Sequence, residues 1–100
     1  EQVIINLVKN SIQALDSIAD GVVDIRAFMH KSGQTLIQVR DNGIGMNADI
    51  IDEIYTPFFT TREKGSGIGL SISRQIMQLH GGSISVISAP GEGTVFTLSF

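Results

Sequence analysis

The sequence predicts an α+β domain: a mixed, mostly antiparallel sheet with helices packed on one face. Three observations carry this. Apolar residues fall at helical spacing near the start and again between positions 70 and 79. Two pairs of alternating segments are each joined by turn residues. The resulting order of helix, two strands, short helix, loop, helix and two strands does not match βαβ alternation. With 100 residues, 42% of them apolar and 17% charged, the chain can bury one core but not two.

Val3, Ile4, Leu7, Val8, Ile12 and Leu15 define an amphipathic helix over about residues 2 to 18, stopped by Asp20-Gly21. Val22 to His30 and Thr35 to Asp41 alternate around Lys31-Ser32-Gly33-Gln34, which is turn chemistry, so they form a hairpin. Asn47 can cap a short helix reaching about Ile54, ended by Pro57. From Thr56 to Gly69 no period of either kind exists around Phe58-Phe59, and the segment reads as a long loop of the sort that carries function. Leu70, Ile72, Ile76, Met77 and Leu79 make a second amphipathic helix ending at His80-Gly81-Gly82. Ser83 to Ala89 and Thr94 to Phe100 flank Pro90-Gly91-Glu92-Gly93 as a second hairpin.

Composition narrows the functional classes. A net charge of −3 offers no basic field for a nucleic-acid backbone. The absence of Cys excludes disulfide scaffolds, thiolate zinc sites and thiol nucleophiles, and suits a reducing cytoplasm. No apolar run exceeds three residues, so no membrane contact is expected. The chain starts at Glu1 within a helical pattern, as a segment of a longer protein would.

Seven of the eleven glycines lie in three clusters: Gly43 and Gly45; Gly65, Gly67 and Gly69; Gly91 and Gly93. The last is accounted for by a turn alone. The second runs into a helix N-terminus, where unpaired N–H groups and the lack of Cβ atoms would let an anion approach the main chain, although a hinge before an ordinary helix start fits as well. Gly43-Ile44-Gly45-Met46-Asn47-Ala48 matches the dinucleotide fingerprint, but the required second parallel strand ending in an acid about 20 residues on is replaced by the long loop. A Walker loop is absent, since neither of the first two clusters is followed by Lys and then Ser or Thr.

Asp41, at a strand end before glycines, is either a turn-initiating residue or an acceptor for an exocyclic amine such as that of adenine. Asn6 and Asn10 stand four apart on one helix face, beside Lys9 and Gln13. Asn gains nothing from a helix, and while each alone reads as a surface residue, the pair points to side-chain oxygens that could hold magnesium alongside phosphates and waters. Asp16, His30 and His80 read as a solvated helix residue, a strand-end residue and a cation near a helix C-terminus.

Together these motifs resemble the ATP-binding catalytic domain of bacterial two-component sensor histidine kinases, relatives of the gyrase, MutL and heat-shock chaperone ATPases. Residues 6 to 14 resemble the N box, Asp41 to Met46 the first glycine box, Pro57 to Thr61 the F box, Gly65 to Leu70 the second glycine box, and Gly91 to Thr94 the last. The Phe59-Thr60-Thr61-Arg62 loop is similar to that of the soluble nitrogen-regulation type. The resemblance covers residues 1 to 100 and implies a Bergerat-type two-layer α/β sandwich, with the family's strand before the N box and its dimerisation, phosphoacceptor and sensor domains lying outside the chain.

It also implies the roles. Asn10, with Asn6, would hold Mg2+; Lys9 would contact the phosphates; Asp41 would bind adenine beside Gly43, Gly45 and Thr94. Residues 56 to 69 would form a lid over ATP. Thr60, Thr61, Arg62 and Lys64 would lie there with Gly65, Gly67, Ile68, Gly69 and Leu70, the glycines donating backbone N–H groups and Phe58 and Phe59 packing the lid. Where related ATPases carry a water-activating Glu, this chain has Asn6, which cannot take a proton, so hydrolysis should be poor. The γ-phosphate is expected to pass to a histidine on a separate helical domain of a homodimeric parent, for relay to a response regulator. Neither His30 nor His80 sits in a phosphoacceptor motif, so the chain alone should bind ATP without phosphorylating itself. The alternative is a non-catalytic, nucleotide-responsive interaction module of the same fold.

Overall fold

A computed structural model describes residues 2–15, 20–56 and 69–100. Helix α1 (Gln2–Ala14) buries Val3, Leu7 and Ser11, the single stripe that its spacing requires. Strand β1 (Val23–Met29) turns back into β2 (Thr35–Asp41) through His30 to Gln34. In that turn Gly33 N donates to His30 O (2.9 Å) and His30 N to Gln34 O (2.8 Å), and Gly33 takes a φ of 90°. Helix α2 (Ala48–Glu53) starts on Asn47, whose Oδ1 accepts from Ile50 N at 2.9 Å.

Helix α3 (Gly69–Leu79) ends in a Schellman motif. Gly82 N donates to Met77 O (2.8 Å), Gly81 N donates to Gln78 O (3.1 Å), and Gly81 has a φ of 73°. His80 adds its ring, Nδ1 lying 2.8 Å from Ile76 O. Strands β3 (Ser83–Ser88) and β4 (Thr94–Ser99) follow, joined by a turn in which Glu92 N donates to Ala89 O (3.0 Å) around Pro90 and Gly91.

The four strands form one sheet in the order β1-β2-β4-β3, antiparallel at each of its three pairings. No parallel pairing occurs among the described residues, which sharpens the expected mixed sheet. Register sorts the face that meets the helices into three rows across the strands. Ala27, Ile37, Leu98 and Ile84 form one row; Ile25, Val39, Phe96 and Val86 form the next. The third, at the end of the sheet, is Val23, Asp41, Thr94 and Ser88. Two rows are apolar and one is polar over three strands.

Helix α1 packs on β1 and β2, α3 packs on β3, and the two helices touch each other, which gives two layers. Between them Val3, Leu7, Val39, Ile54, Met77, Phe96 and Leu98 are buried. Edge strand β1 is covered least: Ile25, on the inner face, is still 51% exposed. No described helix is long and apolar enough to cross a membrane.

Candidate functional site

The polar row sits where burial is costly unless each group is partnered. Asp41 and Thr94 are each 5% exposed and stand directly opposite one another on β2 and β4. Asp41 Oδ1 accepts from Gly43 N (2.9 Å). Ser88 Oγ donates to Gly93 O (2.8 Å), lies 2.8 Å from Thr94 Oγ1, and accepts from Met46 N (2.9 Å). These bonds tie the loop after β2 to the turn between β3 and β4, and Gly91 N adds a bond to Ile44 O at 2.7 Å.

Glycine is required where these segments meet. At Gly45 (φ 69°) a Cβ would collide with Ala89 O, and at Gly93 (φ 80°) with Asp41 O. A Cβ at Gly43 would stand 2.6 Å from Ala14 O, at the C-terminal end of α1. Gly43 and Gly45 are thus explained by approach of the chain to itself. Gly91 and Gly93 do more than reverse the chain, because Gly93 presses on the backbone that carries Asp41.

The second part of the site is the flank of α1. Asn6, Asn10 and Ala14 follow one another at four-residue intervals beside the buried stripe, and both Asn residues are half-buried. At one end of this line Asn6 Nδ2 donates to Gly69 O (3.2 Å) and Ser73 Oγ (3.3 Å), in the first two turns of α3. At the other end Ala14 O accepts from Ile44 N (3.4 Å), in the loop after Asp41. The line therefore connects the start of α3 with the polar row, about 12 Å apart along the helix axis by the usual rise per residue.

The two Asn residues are not equivalent. Asn6 uses its amide to fasten α1 to α3, and its Oδ1 accepts from Gln2 Nε2 (3.1 Å). Asn10 forms no side-chain hydrogen bond among the described residues, so its oxygen is available to a ligand or a cation. Lys9 is exposed on the solvent side of α1, and Leu70 is half-buried in the first turn of α3. Gly69 opens α3, and a Cβ there would only touch Asn6, at 3.8 Å. Thr60, Thr61, Arg62, Lys64, Gly65, Gly67 and Ile68 lie outside the described residues, as do Phe58, Phe59 and Asp16.

Sequence reasoning missed Ser88 and Ser73. Ser73 is fully buried and donates to Gly69 O (2.8 Å) while accepting from Asn6. Tyr55, just after α2, lies under the Arg74 guanidinium (5.1 Å to the ring centroid). Burial pushes its phenol pKa upward, and Arg74 offsets part of that rise. At the same end of the sheet, an open depression of about 420 Å³ is lined by Asp41 and Asn42 together with Val22, Asp24, Arg40, Glu92 and Val95. It holds neither the Asn pair nor Thr94.

Residues 1–100 match the family described as histidine kinase-, DNA gyrase B-, and HSP90-like ATPase. Over 97 residues the chain is 43% identical to the sensor histidine kinase ZraS of Escherichia coli K12, which spans 97% of this chain and 20% of that protein. It is 39% identical over 98 residues to the signal transduction histidine-protein kinase AtoS of the same organism, covering 98% of this chain and 16% of AtoS. The chain thus spans a fifth or less of the length of these relatives. Among solved structures, the nucleotide-free catalytic domain of the histidine kinase ThkA superposes with a TM-score of 0.80 at 34% identity, covering 99% of this chain and 63% of that one. Full-length ShkA, solved in complex with AMPPNP, does so with a TM-score of 0.85 at 26% identity, over 98% of this chain and 20% of its own.

Proposed function

Because the chain belongs to the histidine kinase-, DNA gyrase B- and HSP90-like family of ATP-binding domains, we propose that it holds ATP between the polar row and the start of α3 and serves as the phosphate-donating domain of a sensor histidine kinase. One observation carries this reading: the Asn6–Asn10–Ala14 line joins the first turn of α3 to the loop after Asp41. A ligand along that line has acceptors for a base amine at one end and the N-terminus of an 11-residue helix for phosphate at the other. Asp41 and Thr94 take the base. Asn10 offers its oxygen to Mg2+, which when bound would neutralise phosphate charge. Lys9 reaches the phosphates from the solvent side. Gly69 and Leu70 open the helix that faces them, and Thr60, Thr61, Arg62, Lys64, Gly65, Gly67 and Ile68, outside the described residues, are assigned to the phosphates as well.

Asn6 stands where a water-activating base would have to be, and its amide is held by Gly69 O and Ser73 Oγ. It can neither take a proton nor swing toward water without releasing α3, so transfer to a positioned histidine outcompetes hydrolysis. The acceptor is a histidine on the helical domain of a dimeric parent, and the phosphate passes on to a response regulator. The test mixes this chain with the separately produced helical domain of its parent kinase and radiolabelled ATP with magnesium. Label on the helical domain, and none on this chain, is the expected result. Tight ATP binding without transfer would instead make the chain a nucleotide-responsive interaction module.

A further inference from the structure

The hydroxyl of Ser88 is the meeting point of three contacts, and counting protons assigns each one. A serine hydroxyl has one proton and two lone pairs. Met46 N brings its own proton to Ser88 Oγ (2.9 Å). Gly93 O, at 2.8 Å, is a carbonyl and can only accept, so it takes the proton of Ser88. The third contact, with Thr94 Oγ1 at 2.8 Å, is then a hydrogen bond only if Thr94 donates. This assignment satisfies all three groups. It turns the Thr94 proton toward β3 and leaves Thr94 Oγ1 with lone pairs alone for anything placed over the row. Asp41, the neighbour of Thr94 across β2 and β4, is likewise an acceptor through its carboxylate.

We propose that Ser88 is a specificity-determining positioning residue: by fixing the direction of the Thr94 proton it makes the base end of the site a pair of acceptors, which takes a 6-amino purine and discriminates against a 6-oxo purine. The proposal rests on the reading that Asp41 and Thr94 hold the base, and it deepens that reading. A 6-amino group brings two N–H donors to two acceptors, whereas a 6-oxo group sets a third acceptor against them. Without Ser88, the Thr94 hydroxyl is free to rotate and donate to a 6-oxo group.

ADP and IDP, which differ in the 6-substituent and in the N1 proton that a 6-oxo purine carries, are titrated calorimetrically into the chain and its variants, each checked for folding by thermal unfolding. Wild type should prefer ADP. Ser88→Ala should narrow the ADP:IDP affinity ratio by roughly tenfold, about the worth of one hydrogen bond. Thr94→Val should narrow it similarly, Thr94→Ser should keep it, and the double variant Ser88→Ala/Thr94→Val should show no additional narrowing. Equal losses for both nucleotides in Ser88→Ala would overturn the proposal and leave Ser88 a structural residue. If Ser88→Ala fails to fold, Thr94 decides: a folded Thr94→Ser that loses the preference, or a Thr94→Val that keeps it, overturns the proposal. Wild type binding neither nucleotide overturns the underlying reading, and this one with it.

Discussion

Replacing Gly45 by Ala probes the junction that builds the base end of the site. Gly45 has a φ of 69°, and a Cβ there would collide with Ala89 O and stand 2.8 Å from Ala89 C and 3.2 Å from Gly93 O. The left-handed backbone costs a residue with a Cβ about 1 kcal/mol or a little more. Relieving the collision means moving the loop from the β3–β4 turn, which breaks Gly91 N to Ile44 O (2.7 Å) and Met46 N to Ser88 Oγ (2.9 Å). At about 1 kcal/mol for each bond, the total loss is roughly 3 kcal/mol, a large part of the stability of a small domain. Gly33 is the control, because it has a φ of 90° and nothing within 4 Å of its would-be Cβ, so Gly33→Ala should lose only the backbone part, about 1 kcal/mol. Urea unfolding of both variants measures the difference, with an unchanged slope showing that the unfolded state is the same. Equal losses at the two positions would refute the claim that the loop and the turn are locked together.

Leu7 is fully buried between the layers, so Leu7→Ala should lower stability by about 2–5 kcal/mol in the same assay. Asn10→Ala should abolish the magnesium dependence of ATP affinity, whereas Asn6→Ala should loosen α3 and lower thermal stability; a reversal of these two outcomes would show that their roles had been exchanged. Tyr55→Phe tests the buried phenol, whose oxygen has no partner among the described residues. Its pKa is raised above 10.0 on folding, so the folded state holds the proton more tightly. That contribution is complete below the unfolded pKa and is lost as pH rises through the folded one. Denaturation above pH 10 should therefore weaken wild type more than Tyr55→Phe.

The features legible in the sequence are those written by local rules. The Asn47 cap, the Gly81-Gly82 helix end, the Gly33 turn and the alternation of Thr94 to Ser99 each follow from a few neighbouring residues, and each stands where the sequence puts it. The clamp between residues 43–46 and 88–93 is not legible, because it joins segments more than forty residues apart through one serine hydroxyl and backbone groups that every residue has. Ser88 and Ser73 gave no signal, since a lone serine in a strand or helix looks the same whether it faces water or a buried network. Asn6 was legible only as a polar residue whose side chain must bind something. Its spacing pointed to the oxygen, and the structure engages its amide nitrogen with α3 as well. The first strand begins one residue later than its alternation suggested, at Val23, and its inner face is thinly covered at Ile25.

Whether Asp41, Asn10 and the start of α3 serve one nucleotide is read from backbone amide NMR during titration with ATP and magnesium. The largest shifts should gather at Asp41 to Gly45, Thr94, Asn6 to Asn10 and Gly69 to Leu70, and Asp41→Asn should weaken the whole set together. Shifts confined to Asp24, Arg40, Glu92 and Val95, with Asp41 to Gly45, the Asn pair and α3 unmoved, would contradict it.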